Sequence, residues 1–385
     1  MGLIADLHIH SRFSRATSSR LNPASLDRWA RIKGLDLLGT GDCTHPAWLA
    51  ELREQLEEAE EGFYLLKGEF RAAFDRASGL TEGLPEPAAK FVRFVLTGEI
   101  STIYKRDGKT RKVHHLVILP DFKAAAAFSA GLERVGNIRS DGRPILGIDS
   151  RDLLSILLDS GGGLLIPAHI WTPWFSVLGA KSGFDSIEEC YGDLSSLIPA
   201  VETGLSSNPS MNWALSSLDG FSIVSNSDAH SPDKLGREAT IFDMELSFAS
   251  FRAALASGSA KAAGKGILGT IEFFPQEGKY HYAGHRGCGV CLGPEEAARE
   301  RGCCPVCGKP LTEGVMGRVL ELADRPVDEN SPCPPECGGT NRRPYYSLIP
   351  LKEMLGEMLN TGPLSRKVNA LYGALIEKAG SELSL

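Results

Sequence analysis

The sequence predicts an α/β fold in which about seven short strands, alternating with helices, build a closed or nearly closed barrel over residues 1–270. Three observations lead there. Apolar runs of strand length recur between helix-like segments up to Thr270. Five of them run into residues that bind metals, as expected where strands deliver ligands to one rim of a barrel. After Thr270 the character changes, first to a Cys-, Gly- and Pro-rich stretch over 271–345, then to two helical segments over 346–385.

The first strand is the apolar run from Gly2, which carries Asp6, His8 and His10. Asn22-Pro23 opens a helix containing Leu26, Trp29, Ala30 and Ile32, closed near Gly34. Leu35 to Thr40 is the next strand and leads into Asp42 and His45; Thr44 to Gly62, rich in Glu, Leu and Ala, reads as a helix. Phe91 to Thr97 leads into Glu99, and Val113 to Leu119 contains His114 and His115. Phe122 to Val135 is helical; Ser150 is the expected N-cap of a helix carrying Leu153, Leu154, Leu157 and Leu158, stopped by a triple glycine. Gly163 to Pro167 leads into His169, Pro199 to Thr203 contains Glu202, and Phe221 to Asn226 leads into Asp228 and His230. Ser247 to Ser257, Leu351 to Asn360 and Ser365 to Gly380 are helical, and Pro326 to Thr340 reads as a mobile loop.

Side chains alternate along a strand, so His8 and His10 point the same way and can share one cation. Asp228-Ala229-His230 repeats that spacing. Seven of the nine histidines fall at the ends or starts of apolar runs, which ordinary core histidines would not do. The expectation is a multinuclear site, hence hydrolytic chemistry, with His and carboxylate ligands suited to Zn, Mn or Mg. Glu202, Asp193 and Glu69 are weaker additions, Glu69 competing with Glu99. No P-loop, no Gly-x-Gly-x-x-Gly turn into a helix and no Gly-x-Ser-x-Gly elbow stands in the chain.

A net charge of −7 argues against a generally basic nucleic-acid coat, but bound cations offset carboxylates and local patches matter more. The densest basic patch is Tyr104 to Lys112, which carries Lys105, Arg106 and Arg111; Arg342 and Arg343 form a smaller one. Seven of nine cysteines lie between Cys288 and Cys337. Cys288-x-x-Cys291 and Cys304-x-x-Cys307 are two knuckles whose four thiolates predict one structural Zn. Without a basic-then-apolar leader, a myristoylation pattern or a run long enough to span a bilayer, the expectation is a cytoplasmic protein with no membrane partner.

The order His8-x-His10, Gly41-Asp42, Glu99, His115, His169, Asp228-x-His230 resembles the PHP (polymerase and histidinol phosphatase) superfamily of phosphoesterases. The resemblance implies a distorted (β/α)7 barrel holding two or three divalent metals on His8, His10, Asp42, Glu99, His115, His169, Asp228 and His230. It favours His115 over His114, because His115 directly precedes Leu116-Val117. Two departures stand out: the second motif reads Gly41-Asp42-Cys43, and no Asp follows Ser11 at once. The layout further resembles the narrower endonuclease Q family, through Asp6 to Ser14, Lys112 to Val117, Ile166 to Trp174, Glu202 to Ser207 and Arg318 to Ala323. That implies a PHP domain over 1–270, a zinc module over 271–345 and a helical segment over 346–385. The activity implied is nicking of damaged DNA 5′ to a deaminated base (uracil, hypoxanthine, xanthine) or an abasic site; a small-molecule phosphoesterase is the alternative. On this reading Asp228 and Asp193 act in catalysis, and Trp171, Trp174, Lys105, Arg106 and Arg111 contact DNA, where a flipped base needs stacking partners. No protein partner is named by the sequence; a sliding clamp is one class to consider.

Overall fold

A computed structural model describes residues 2–81, 85, 90–256, 266–327 and 342–385. Most of the expected Pro326–Thr340 loop, with Cys333 and Cys337, lies outside the described residues. The strands in chain order are β1 (Leu3–Asp6), β2 (Leu37–Gly39), β3 (Leu56–Glu60), β4 (Phe63–Leu66), β5 (Arg93–Arg106), β6 (Lys109–Leu119), β7 (Ile145–Leu146), β8 (Leu164–Pro167), β9 (Ala200–Glu202), β10 (Ser222–Val224), β11 (Ala239–Asp243), β12 (Gly266–Glu272), β13 (Ala283–His285), β14 (Val290–Leu292) and β15 (Tyr345–Ser347). The helices are α1 (Pro23–Lys33), α2 (Pro46–Gln55), α3 (Gly68–Thr81), α4 (Phe122–Glu133), α5 (Ser150–Asp159), α6 (Ile187–Tyr191), α7 (Pro209–Asn212), α8 (Phe248–Ala256), α9 (Pro294–Arg299), α10 (Val315–Leu322), α11 (Leu351–Met358) and α12 (Arg366–Ala379).

The fold is a mixed α/β structure around one large sheet, not the largely parallel sheet that alternation of strands and helices suggests. β1–β2 and β2–β5 pair in parallel, but β5–β6 and β6–β8 are antiparallel. The cause is local. Asp107 and Gly108 both take positive φ, 54° and 73°, and close a two-residue turn that folds β6 straight back on β5. Hydrogen bonds then continue around: Ile170 N–H donates to Glu202 O at 3.1 Å, β9 pairs with β10 in parallel, and Ile9 bridges Ala229 beside β1.

Two apolar groups flank these strands. One, with Leu7, Val95, Leu116, Ile166, Ala200 and Val224, lies between them. The other, with Trp48, Phe94, Val117, Phe128 and Leu154, lies under the helices. Alternation carries the inner faces of four strands upward, from Val95 to Glu99, from Leu116 to His114, from Ala200 to Glu202 and from Val224 to Asn226.

α1 follows its expected signals: Asn22 Oδ1 accepts from Ser25 N–H, Pro23 opens the helix, and Gly34 closes it at φ 97°. The expected Ser150 cap is one residue late, since Asp149 accepts from Arg151 N–H. The expected helix from Thr44 to Gly62 stops at Gln55. Its Glu-rich half becomes β3, an edge strand turned onto β4 at Gly62 (φ 79°), with its acids in solvent.

β12 runs through residue 270, and Tyr345 pairs with Thr270, so the Cys-rich stretch leaves and rejoins the sheet at the same strand. The C-terminal helices dock on α1: Glu382 accepts from Lys33 Nζ (2.6 Å), Tyr372 OH (2.7 Å) and Leu351 N–H (2.9 Å). No helix of the described residues is long and apolar enough to cross a membrane.

Candidate metal centre

Two groups of ligand atoms meet at one rim and share a carboxylate. His8, His10, Glu99 and Asp228 form the first; Glu99, His114 and His169 form the second. His8 and Glu99 are fully buried, and Asp228 is the most open of the set. Glu99 Oε1 lies 2.5 Å from His114 Nδ1, 3.2 Å from His169 Nε2 and 3.7 Å from His8 Nε2, while Oε2 faces His10 Nε2 at 3.4 Å. Asp228 Oδ1 is 3.0 Å from His10 Nε2 and 3.9 Å from His8 Nε2.

A further row of groups fixes these rings. Both oxygens of buried Glu202 lie 3.0–3.1 Å from His8 Nδ1. A carboxylate accepts only, so Nδ1 carries the proton and Nε2 turns its lone pair to the cluster. His8 Nε2 is buried and has no hydrogen-bond partner among the described residues. An orphaned imidazole nitrogen aimed between two carboxylates is what a divalent cation would satisfy. Asp42 holds His10 in the same way, with Oδ1 3.3 Å from Nδ1. Its other oxygen accepts from Ser11 N–H, Ser11 Oγ and Ser14 Oγ at 2.7–2.9 Å. Asp42 therefore braces His10 and stands outside both groups of ligand atoms, where the sequence reading expected a ligand. Asp6 accepts from Ser227 N–H and Gly236 N–H, bracing the loop that carries Asp228; burial pushes its carboxyl up to about 6.

The backbone is strained here. His169 (φ 31°), Asp228 (47°), Asp42 (48°) and Phe175 (61°) are four of the eight non-glycine residues with positive φ among those described. Such concentration marks a functional site. Gly204 (φ 70°) passes so close that an added Cβ would stand 2.4 Å from that of His169. Electrostatics match the geometry. Burial works against charge on His10, yet its hydrogen bonds to Asp228 and Asp42 raise it to about 9, and Glu202 and Glu99 outweigh burial to raise His8 as well. Burial opposes ionisation of Glu99 too, and the charges of His114, Arg143 and His8 overcome it, holding the carboxyl well below its usual range. Burial dominates at His114 and lowers it to about 4.

The remaining sequence expectations divide. His169 is in the cluster, and His230 stands beside it, its ring 4.5 Å from that of His10 and its Nδ1 2.8 Å from Asp228 O. His115 is not there. The β5–β6 register sets Glu99, Ser101 and His114 on one face and Ile100, Thr102 and His115 on the other. His115 is instead buried between Tyr191 OH (2.8 Å) and Thr102 Oγ1 (3.0 Å). The signal that finds His114 is the Asp107-Gly108 turn, which sets that register. His45 caps α2 and stacks on Phe13. Glu69 is exposed, and exposed Asp193 forms a two-point pair with Arg151 (2.7 and 2.9 Å) away from the ligand groups.

The rim opens into a cavity of about 620 Å³ whose walls include Lys112, Trp174, Phe175, Lys279 and Tyr280. Trp174 is part-exposed and meets Tyr280 edge to face at 6.2 Å, and Phe175 packs 4.6 Å from His114. Trp171 is buried and donates to Asn212 Oδ1 at 2.9 Å, so it packs rather than presenting a face to DNA. Of the expected basic contacts, Lys105 is exposed, but Arg106 is spent on Asp149 and the Glu189 and Cys190 carbonyls. Arg111 is buried over Phe184 (4.0 Å) and donates to Gly183 O. Arg342 lies over the Trp213 ring.

In the Cys-rich stretch, His285, Cys288, Cys304 and Cys307 bring one ligand atom each within 4.8 Å of one another. Cys291 is exposed and outside the group, because it sits on β14 paired with Gly284 while the tight turn between β13 and β14 brings His285 forward. Cys307 Sγ is 3.6 Å from His285 Nδ1. Hydrogen bonding to Cys307, then burial and hydrogen bonding to Cys304, push the Cys288 thiol up to about 11. Three thiols and an imidazole suit tetrahedral zinc.

No family model matches the chain. It is 31% identical over 225 residues to the uncharacterised protein MJ0043 of Methanocaldococcus jannaschii, a match covering 56% of this chain and only 26% of that protein. It is 30% identical over 338 residues to the uncharacterised protein YqxK of Bacillus subtilis, covering 84% of this chain and 78% of that one. The crystal structure of the lesion-specific endonuclease PfuEndoQ from Pyrococcus furiosus aligns over the whole chain and 84% of its own length, at 30% identity and TM-score 0.79. Endonuclease Q in complex with a 27-mer duplex bearing an abasic lesion at the active site aligns over the whole chain and 85% of its own, at 30% identity and TM-score 0.80. With likeness at that level from end to end, the chain belongs to the endonuclease Q family.

Proposed function

We propose that this protein is a metal-dependent DNA repair endonuclease that hydrolyses the phosphodiester 5′ to a deaminated base or an abasic site. One observation carries the reading: potential ligand groups from five separate segments, two within strands and three just after them, converge around Glu99 beneath a cavity walled by aromatic and basic side chains, in a chain of the endonuclease Q family. On this reading β1, β2, β5, β6, β8, β9 and β10 make a distorted seven-stranded PHP barrel over residues 1–270, followed by a zinc module over 271–345 and a helical segment over 346–385; the ladders β1–β2–β5–β6–β8, the Ile170–Glu202 hydrogen bond, the β9–β10 pair and the Ile9–Ala229 bridge support it.

His8, His10, Glu99, His114, His169 and Asp228, with His230 beside them, would hold two or three divalent cations. Such cations, when bound, supply an activated water and neutralise charge on the phosphoryl group. The chain's own residues do the rest. Glu202 and Asp42 fix the histidine tautomers, so each ring presents Nε2 without rearrangement. Trp174, Phe175 and Tyr280 offer ring faces to a base turned out of its stack. Lys112 and Lys279 offer cations to flanking phosphates.

The test is an oligonucleotide panel carrying uracil, hypoxanthine, xanthine or an abasic site, incubated with purified protein and Mn, Mg or Zn. Expected is a nick 5′ to the lesion that EDTA stops, and that Asp228→Ala and His8→Ala abolish while circular dichroism stays native. Intact substrate with every metal, alongside rapid turnover of a small phosphate monoester, would instead make this a small-molecule phosphatase.

A further inference from the structure

Arg143 enters the rim from a loop that none of the ligand motifs includes. Its Nη1 donates to Glu99 Oε2 at 3.0 Å, the oxygen that also faces His10, and its side chain lines the cavity beside His114, His169 and Asp228. The loop is pinned on both sides. Asp141 Oδ1 accepts from Arg143 N–H (3.1 Å) and Arg15 N–H (3.2 Å), Gly142 N–H donates to Phe13 O (2.9 Å), and Pro144 O accepts from Ser101 N–H (3.0 Å), two residues from Glu99. Gly142 has no room for a side chain, since a Cβ there would stand 2.2 Å from Asp42 Oδ2. The guanidinium is thus delivered to one place and spends one of its five N–H donors there.

A fixed cation at that place is a liability for metal binding alone. It competes for a carboxylate oxygen and repels the divalent ions that Glu99 would hold. The arrangement makes sense when an anion arrives as well. We propose that Arg143 grips a non-bridging oxygen of the scissile phosphate, its planar fork stabilising the charge that builds there during hydrolysis. The proposal rests on the phosphodiesterase reading of the same site.

The two roles open to Arg143 predict opposite signs. If it grips phosphate, Arg143→Gln binds Mn²⁺ at least as tightly as the wild type. Its kcat falls on the order of 100-fold, and inorganic phosphate binds the Mn²⁺-loaded variant about 10-fold or more weakly. Arg143→Lys keeps the charge but not the fork and lies between. If Arg143 only organises Glu99, Mn²⁺ affinity falls in step with activity and phosphate affinity follows it. That result, or phosphate bound equally well by wild type and Arg143→Gln, overturns the proposal. Phosphate and Mn²⁺ binding are read by calorimetry with no DNA present. An Arg143-dependent phosphate site in a protein that cuts no lesion would therefore refute the endonuclease reading while leaving this one standing.

Discussion

Glu202 is the residue whose replacement tells most about the centre. Its Oε1 accepts from Asn226 Nδ2 at 2.8 Å, its Oε2 accepts from His169 N–H at 2.8 Å, and both lie within reach of His8 Nδ1. Glu202→Gln keeps the shape, changes one oxygen to an amide NH2 and removes the negative charge. With the NH2 toward His169 N–H, two donors meet. With it toward Asn226, two donors meet again unless Asn226 flips, and Asn226 cannot flip because its Oδ1 accepts from Leu7 N–H at 2.8 Å. Every orientation thus leaves a buried donor unsatisfied, at a cost of about 1–3 kcal/mol, and weakens the bond that orients His8. A total of about 2–3 kcal/mol is roughly a 30- to 150-fold loss, in line with the ~10–100-fold typical of a lost outer partner of a metal-binding histidine. We expect Mn²⁺ affinity and lesion nicking of Glu202→Gln to fall together by about 100-fold, with thermal stability reduced but folding intact. Wild-type Mn²⁺ affinity in a calorimetric titration of this variant would refute the reasoning.

Three other outcomes follow. His114→Ala loses nicking by at least about 100-fold, whereas His115→Phe keeps it and loses about 2 kcal/mol of stability by stranding the buried Tyr191 OH; urea melts and nicking assays of the pair decide, and the reverse pattern would put His115 at the metals. Burial, helped by neighbouring acids, pushes Glu272 up to about 8, so its contribution to stability is full below the ordinary carboxyl range and is lost as pH rises through 8. Glu272→Gln should therefore melt above the wild type at pH 9 and near it at pH 5, and a constant offset across pH would refute this. Cys304→Ser or His285→Ala should lose the module's zinc, measured by chromogenic release, and raise KM for lesion DNA more than it lowers kcat; Cys291→Ser should do neither, and zinc loss in Cys291→Ser alone would restore a four-cysteine site.

The strand ends were the legible part of this chain. Period-two spacing and the repeated step from apolar run to ligand led to His8, His10, Glu99, His169 and Asp228, which the structure brings together. What failed was register. Choosing between adjacent His114 and His115 needs the pairing of β6 with β5, which a pattern of single strands does not contain, although the Asp107-Gly108 turn encodes it. Basic residues failed for another reason. Arg106 and Arg111 look free in a charged run, but guanidinium groups find carbonyls, carboxylates and ring faces in the fold that no local window displays. Glu202 stands only as a weaker addition in the sequence because its partners, His8, His169 and Asn226, come from three remote segments. Arg143 carried no signal at all, being one arginine in a short loop.

The Cys-rich stretch is more than a staple for a region with little core. Tyr280, on the cavity wall, is held through its carbonyl, which accepts from Val315 N–H at 2.8 Å, and His281 O accepts from Met316 N–H at 3.1 Å. Fully buried His281 also reaches Ser206 O at 3.0 Å through Nδ1, fastening the wall to the loop after β9, whose Glu202 orients His8. β13 begins at Ala283 and ends at His285, a member of the cysteine cluster. From the sulfur-rich cluster to the aromatic wall is thus a distance of five residues, most of them hydrogen-bonded on both sides. A cation that fixes His285 fixes the strand, and the strand fixes Tyr280 relative to Trp174. Loss of that cation would leave Glu99 on β5, His114 on β6 and His169 just after β8 untouched, which is why binding of the lesion, rather than the chemical step, is where its removal should register.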